Sequence, residues 1–297
     1  MSPGTPPVRI LQDEPLPDVL YHYTTLGGFL GIMKTGKLWA SDLRFLNDSS
    51  EIVYALDRIK ELVSVWKQNH SIQRMEQIVD LLDVGRRLHS SIFGGIFSFS
   101  LSEKGDLLSQ WRGYAPGGDG VAVGFVPADL RAVASGQGFR LVKCRYSENE
   151  RPVALRELVV AIMREWEALL KTSNEPAKDA IGVFLNEQII PRLFEVAPAI
   201  KHPSFAEEAE WRVVSTYPDL PAPDSAHFRV VEGRIVPYVE FDLASHDPDA
   251  HGARAPIYEV FVGPGPNSEL TAKGIDVAIL SNWRLPVRIR PSAIPFR

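Results

Sequence analysis

Apolar and polar residues alternate most sharply at Phe97-Ser98-Phe99-Ser100, inside the run Gly94 to Ser102. A period of two puts rings on one side of an extended segment and hydroxyls on the other, which predicts a half-buried strand. Gln110-Trp111-Arg112-Gly113-Tyr114 follows as a polar and aromatic loop, and Val121-Ala122-Val123-Gly124-Phe125 reads as a second strand. So much hydrogen-bonding chemistry beside so much aromatic surface has the composition of a pocket wall.

The same patterning orders the rest of the chain. Val19 to Thr24 is β-branched and aromatic, a short strand. Thr25 is placed to cap a helix through Leu26, Phe29, Leu30 and Met33, Gly36 to stop it, and Lys37 to Ala40 to resume as a strand. Asn47-Asp48-Ser49-Ser50-Glu51 signals a helix start, with Ile52, Leu56, Ile59 and Val63 at helical spacing; Asn47 and Asp48 either cap it or reach into a pocket. A third helix is expected over 72–93, a strand over 138–146, and a broken helical region over 151–197. Glu207, Glu208 and Glu210 stand just ahead of an expected strand, Trp211 to Tyr217. The tail is β-rich (234–241, 257–262), with a helix over 268–280 and a closing strand from Val287. These elements predict an α+β fold, a split, mostly antiparallel β-sheet core with surrounding helices. They form one domain over 19–297, after an extended or disordered lead-in over 1–18.

Composition narrows the function classes. The 297 residues are 45% hydrophobic and 23% charged, and the formal net charge is −5. An acidic balance argues against a broad electrostatic grip on nucleic acid. Cys144, the single cysteine, has no partner for an internal disulfide and fits a reducing cytosol. No stretch approaches the roughly 20 apolar residues of a membrane helix, and the proline-rich start does not read as a signal peptide. A cytoplasmic protein with no membrane partner is expected. The seven histidines form no HExxH or Cys/His cluster, so no metal is expected. There is no G-x-S-x-G elbow, and Gly263-Pro264-Gly265-Pro266-Asn267 lacks the spacing of a phosphate-binding loop.

Three short polar patterns remain: His22-x-Thr24 on the first strand, Ser98-x-Ser100 on the alternating strand, and Glu208-x-Glu210. Together they supply what breaking a nicotinamide–ribose bond requires. A carboxylate stabilises developing positive charge and orients a ribose hydroxyl, hydroxyls and a histidine hold ribose and amide, an aromatic ring stacks, and an arginine offsets pyrophosphate. A blander arrangement uses the same residues, with Arg112, Glu208, Glu210 and Arg212 as a buried ion-pair network.

The segments YHYTTLGGFLGIMKTGKLWASDLRFLNDSSE, FSFSLSEKGDLLSQWRGYAPGGDGVAVGF and KHPSFAEEAEWRVV, with the tail pieces VFVGPGPNSEL and SAIPFR, resemble the DUF2971 family of uncharacterised bacterial proteins. The order of the motifs also resembles the ADP-ribosyltransferase superfamily. That resemblance implies an ADP-ribosyltransferase-like fold and an NAD-dependent transferase or NAD glycohydrolase, of a toxin or phage-defence kind, with NAD as co-substrate. The macromolecular acceptor would be a protein or a nucleic acid. It implies catalytic roles for Glu210, Glu208 and His22. Tyr23, Thr24, Ser98, Ser100, Gln110, Trp111, Arg112 and Tyr114 would bind the ligand. The pattern departs from that superfamily in pairing a histidine, rather than an arginine, with Ser-x-Ser and Glu-x-Glu. The alternative is a non-catalytic nucleotide- or peptide-binding module.

Overall fold

The structure is a computed structural model that describes residues 15–45, 50–69, 95–115, 117, 120–146, 151–172, 183–184, 192, 195–216, 225–243, 257–283 and 286–295. The expected caps at 47–49 and the helix over 72–93 lie outside the described residues. The strands are β1 (Leu20–Thr25), β2 (Lys37–Asp42), β3 (Phe97–Ser102), β4 (Gly120–Phe125), β5 (Phe139–Lys143), β6 (Glu210–Ser215), β7 (His227–Val231), β8 (Arg234–Asp242), β9 (Ile257–Val262) and β10 (Arg288–Pro291). The helices are α1 (Leu26–Thr35), α2 (Ser50–Asn69), α3 (Leu108–Tyr114), α4 (Pro127–Ser135), α5 (Arg151–Thr172) and α6 (Ser268–Trp283).

Local chemistry explains the first unit. Thr25 caps α1 by accepting a hydrogen bond from the Gly28 amide at 3.1 Å. Gly36 ends the helix at φ 69°, a left-handed conformation that glycine adopts without a Cβ penalty, and its amide donates to the Ile32 carbonyl. Sequence reasoning passed over β7 and α4. β7 is short and mostly exposed, and its apolar face, Phe228 and Val230, is turned to solvent rather than buried. It is held by β8 through the two-residue turn Glu232-Gly233, where φ is positive at both residues (48° and 77°).

The strands form one mixed sheet in the order β10-β9-β4-β1-β3-β2-β8-β7, antiparallel except for the parallel β9–β10 pair. A further arm, β6 then β5, also joins β3. β3 is thus the junction of three arms. β6 pairs along it from Ser98 to Ser102. β1 meets it only at Tyr21↔Ser102, and β2 only at Ser41↔Ser98 and Asp42↔Phe97. Between those two contacts β1 and β2 diverge, and the sheet opens as a fork beside Phe99 and Ser100.

One side of the sheet carries the larger core. There Leu20, Phe97, Phe99, Leu101, Trp211 and Val213 pack with Phe29 and Ile32 of α1, Leu130 of α4, and Ile275 and Ile279 of α6. The other side carries the serines of β3 and a smaller cluster of Tyr21, Tyr23, Trp111, Ala115 and Ala122. Among the described residues no helix is long and apolar enough to cross a membrane.

Candidate functional site at the fork in the sheet

Register decides which expected residues can share a ligand. Tyr21 pairs with Ser102, and Ser102, Ser100 and Ser98 pair with Glu210, Arg212 and Val214. Paired residues point to the same side. Ser98, Ser100, Glu210 and Arg212 therefore share one face with Tyr21 and Tyr23. His22 and Thr24 belong by register to the other face, with Leu20.

His22 is nevertheless at the fork. Its Nδ1 lies 3.0 Å from the carbonyl oxygen of Ser100, which β1 and β2 leave unpaired where they part, and its ring meets Phe99 edge-on at 5.9 Å. A carbonyl only accepts, so Nδ1 carries the proton. Burial lowers the pKa of His22, the Ser100 carbonyl opposes this, and the Arg229 charge lowers it further. The ring is neutral, and Nε2 is left as a hydrogen-bond acceptor.

The glutamates are bound into an ion-pair network. Glu210 is 4% exposed; its Oε1 accepts from Arg212 Nε at 2.8 Å, and its Oε2 from Lys201 Nζ at 2.7 Å and Arg212 Nη2 at 3.2 Å. Lys201 also reaches Glu208 Oε2 at 2.6 Å, and Arg212 Nη1 donates to the Pro198 carbonyl. Burial pushes the Glu210 carboxyl up, but Arg212 and Lys201 together hold it down at about 2. Glu210 is the first residue of β6, whereas Glu207 and Glu208 end a 3-10 turn over Pro203–Glu208. Ala209 between them has φ 44°, so Glu208 and Glu210 do not follow a strand alternation. The Glu208 side chain is the more exposed of the two, at 22%.

The Gln-Trp-Arg-Gly-Tyr segment forms α3. Trp111 packs edge-on against Tyr23 at 4.7 Å and donates to Asp106 Oδ1 at 2.7 Å. Tyr23 donates to the Lys104 carbonyl and accepts from the Leu107 amide. Asp106 also accepts from Ser292 Oγ and the Ala293 amide, tying in the tail segment SAIPFR. Gln110 is buried, while Arg112 and Tyr114 are exposed. Arg112 is not among the cations that hold Glu208 and Glu210. Trp111 and Tyr23 act as a brace beneath β1.

Sequence reasoning missed four residues on the serine face of the fork. Ser41 pairs with both Ser98 and Tyr238, and Trp39 sits two residues before it on the same face. Trp39 and Tyr238 have ring centroids 4.5 Å apart, and the Arg229 guanidinium lies over both. The alternation Lys37-Leu38-Trp39-Ala40-Ser41 was the available signal for two of them. Nothing in the sequence linked Arg229 to it.

Residues 110–213 match the model of a family described as a protein of unknown function (DUF2971). The match supports that family. It runs from α3 into β6 and so includes both the Gln-Trp-Arg-Gly-Tyr and the Glu-x-Glu segments. No curated protein and no solved structure matches the chain.

Proposed function

We propose that the fork beside Phe99 and Ser100 is a nucleotide-binding cleft, and that the chain is a binding module for an NAD-like or ADP-ribose-like ligand. The observation that carries this reading is His22: a neutral imidazole at the opening, its Nδ1–H spent on Ser100 and its Nε2 able to accept from a ribose hydroxyl or an amide N–H. Ser100 stands beside it, and Trp39 offers an exposed ring at the rim for stacking.

Transfer chemistry on NAD is a second reading, favoured by Glu208 and by the Ser-x-Ser and Glu-x-Glu motifs meeting on adjacent strands. Against it, both oxygens of Glu210 are taken by buried cations that neutralise its charge. The non-catalytic reading therefore fits the geometry better.

Calorimetry with ADP-ribose, and liquid chromatography of the protein incubated with NAD, test both. ADP-ribose is expected to bind the wild type and to bind folded His22→Ala about tenfold more weakly, the size of one lost hydrogen bond. Equal binding by the two proteins, or none by the wild type, sinks the cleft reading. Nicotinamide release that depends on Glu208 or Glu210 would establish the transferase instead.

A further inference from the structure

We propose that Arg229 anchors an anion subsite of this fork, built to take the phosphate or pyrophosphate group of a nucleotide; the inference rests on reading the fork as a nucleotide cleft. The β7–β8 hairpin brings Arg229 onto the face of Tyr238, Ser41 and Trp39. Its Nη2 donates to Ser41 Oγ at 2.8 Å, and its guanidinium carbon lies 5.4 Å from the Trp39 ring centroid and 5.8 Å from that of Tyr238. Two aromatic rings and a hydroxyl fix the orientation of the guanidinium fork.

What is missing is a counter-charge. Arg229 has no carboxylate partner among the described residues, and its Nε is buried without a hydrogen-bond partner. Two carboxylates of β2 and β8 are committed elsewhere, Glu240 to Lys37 and Asp42 to Arg44. Burial lowers the guanidinium pKa, the mark of a charge held out of water without full compensation.

The neighbouring groups are donors too. Ser41 Oγ already accepts from Arg229, which leaves its own proton to give. Ser98, paired with Ser41, is 1% exposed, and its Oγ has no partner among the described residues. An arginine edge and two serine hydroxyls are donors in want of acceptors, and a phosphate supplies several acceptor oxygens and a compensating charge. Trp39, 44% exposed, brings the edge of this cluster to the surface. Ser98 lies two residues along β3 from Ser100, whose carbonyl oxygen holds His22, so the same strand links the anion subsite to the histidine.

Calorimetric titration at low salt with inorganic pyrophosphate, which has neither ribose nor base, tests the subsite. Wild type is expected to bind at one site. Arg229→Gln is expected to weaken binding roughly 30-fold, as loss of a charge-assisted contact does. Ser98→Ala should weaken it about fivefold while melting no lower than wild type, because its hydroxyl has no partner to lose. Arg288→Gln, an exposed charge on β10, should bind as wild type. Equal losses in Arg229→Gln and Arg288→Gln, or no binding by wild type, overturn the proposal. If Arg229→Gln fails to fold, unchanged affinity in Ser98→Ala overturns it. Arg229-dependent pyrophosphate binding with no tighter binding of ADP-ribose leaves the subsite standing and removes the nucleotide reading. His22-dependent ADP-ribose binding, with pyrophosphate indifferent to Arg229, does the reverse.

Discussion

Replacing Glu210 by Gln keeps the shape of the side chain and removes one charge from the buried network. Lys201 and Arg212, each 2% exposed, then face a neutral amide. The pKa of the Glu210 carboxyl falls from an ordinary 4.5 to about 2, a gap that corresponds to about 3 kcal/mol of stability at neutral pH. Breaking a buried pair by removing one partner typically costs roughly 3–5 kcal/mol, so two routes give the same size. In a chain of this length that loss lowers the melting temperature by roughly 6–12 °C. The sign with pH follows from the depressed pKa. The contribution is complete above the unfolded value near 4.5 and is lost as pH falls towards 2. Thermal and urea unfolding followed by circular dichroism at pH 7 and pH 3 measures both effects. Wild type should lose part of its margin over Glu210→Gln between the two pH values. A Glu210→Gln protein that melts within about 2 °C of wild type would refute the network account.

Other substitutions probe the backbone. Ala209→Gly should stabilise the chain by up to about 1 kcal/mol, because φ 44° strains any residue with a Cβ; unfolding midpoints check it, and a loss of stability would mean that Ala209 packs against something that matters more. Gly105→Ala should cost about 1–3 kcal/mol, since a Cβ there would lie 2.7 Å from Tyr21 Cε1 and 2.8 Å from the Phe261 ring, both in the sheet beneath. A variant as stable as wild type would show that the turn over 103–106 shifts freely.

Much of the scaffold was legible along the chain. The alternation at Phe97 to Ser102, the Thr25 cap, the Gly36 stop and the apolar runs of β8, β9 and α6 rest on contacts within a few residues, or on a face that must be buried. Their periods report that directly. The start of β6 was read one residue late, because Glu210 looks like a polar approach to a strand until Lys201 and Arg212 are seen to neutralise it.

The candidate site was legible only in pieces. Sequence supplied His22, Ser98, Ser100, Glu208 and Glu210 as chemistry, but not which of them could share a ligand. A strand's two faces differ by one residue of register, and register is set by pairing between segments far apart in the chain. Tyr21↔Ser102 and Ser102↔Glu210 place the serines and Glu210 on one face and His22 by register on the other. Arg229 lies 188 residues from Ser41, on a short strand whose apolar residues Phe228 and Val230 face solvent. By itself the sequence determined the elements and the groups available for chemistry. Only the tertiary structure decided that Glu210 is neutralised by its neighbours while Arg229, held by Ser41 and two aromatic rings, has no such partner among the described residues.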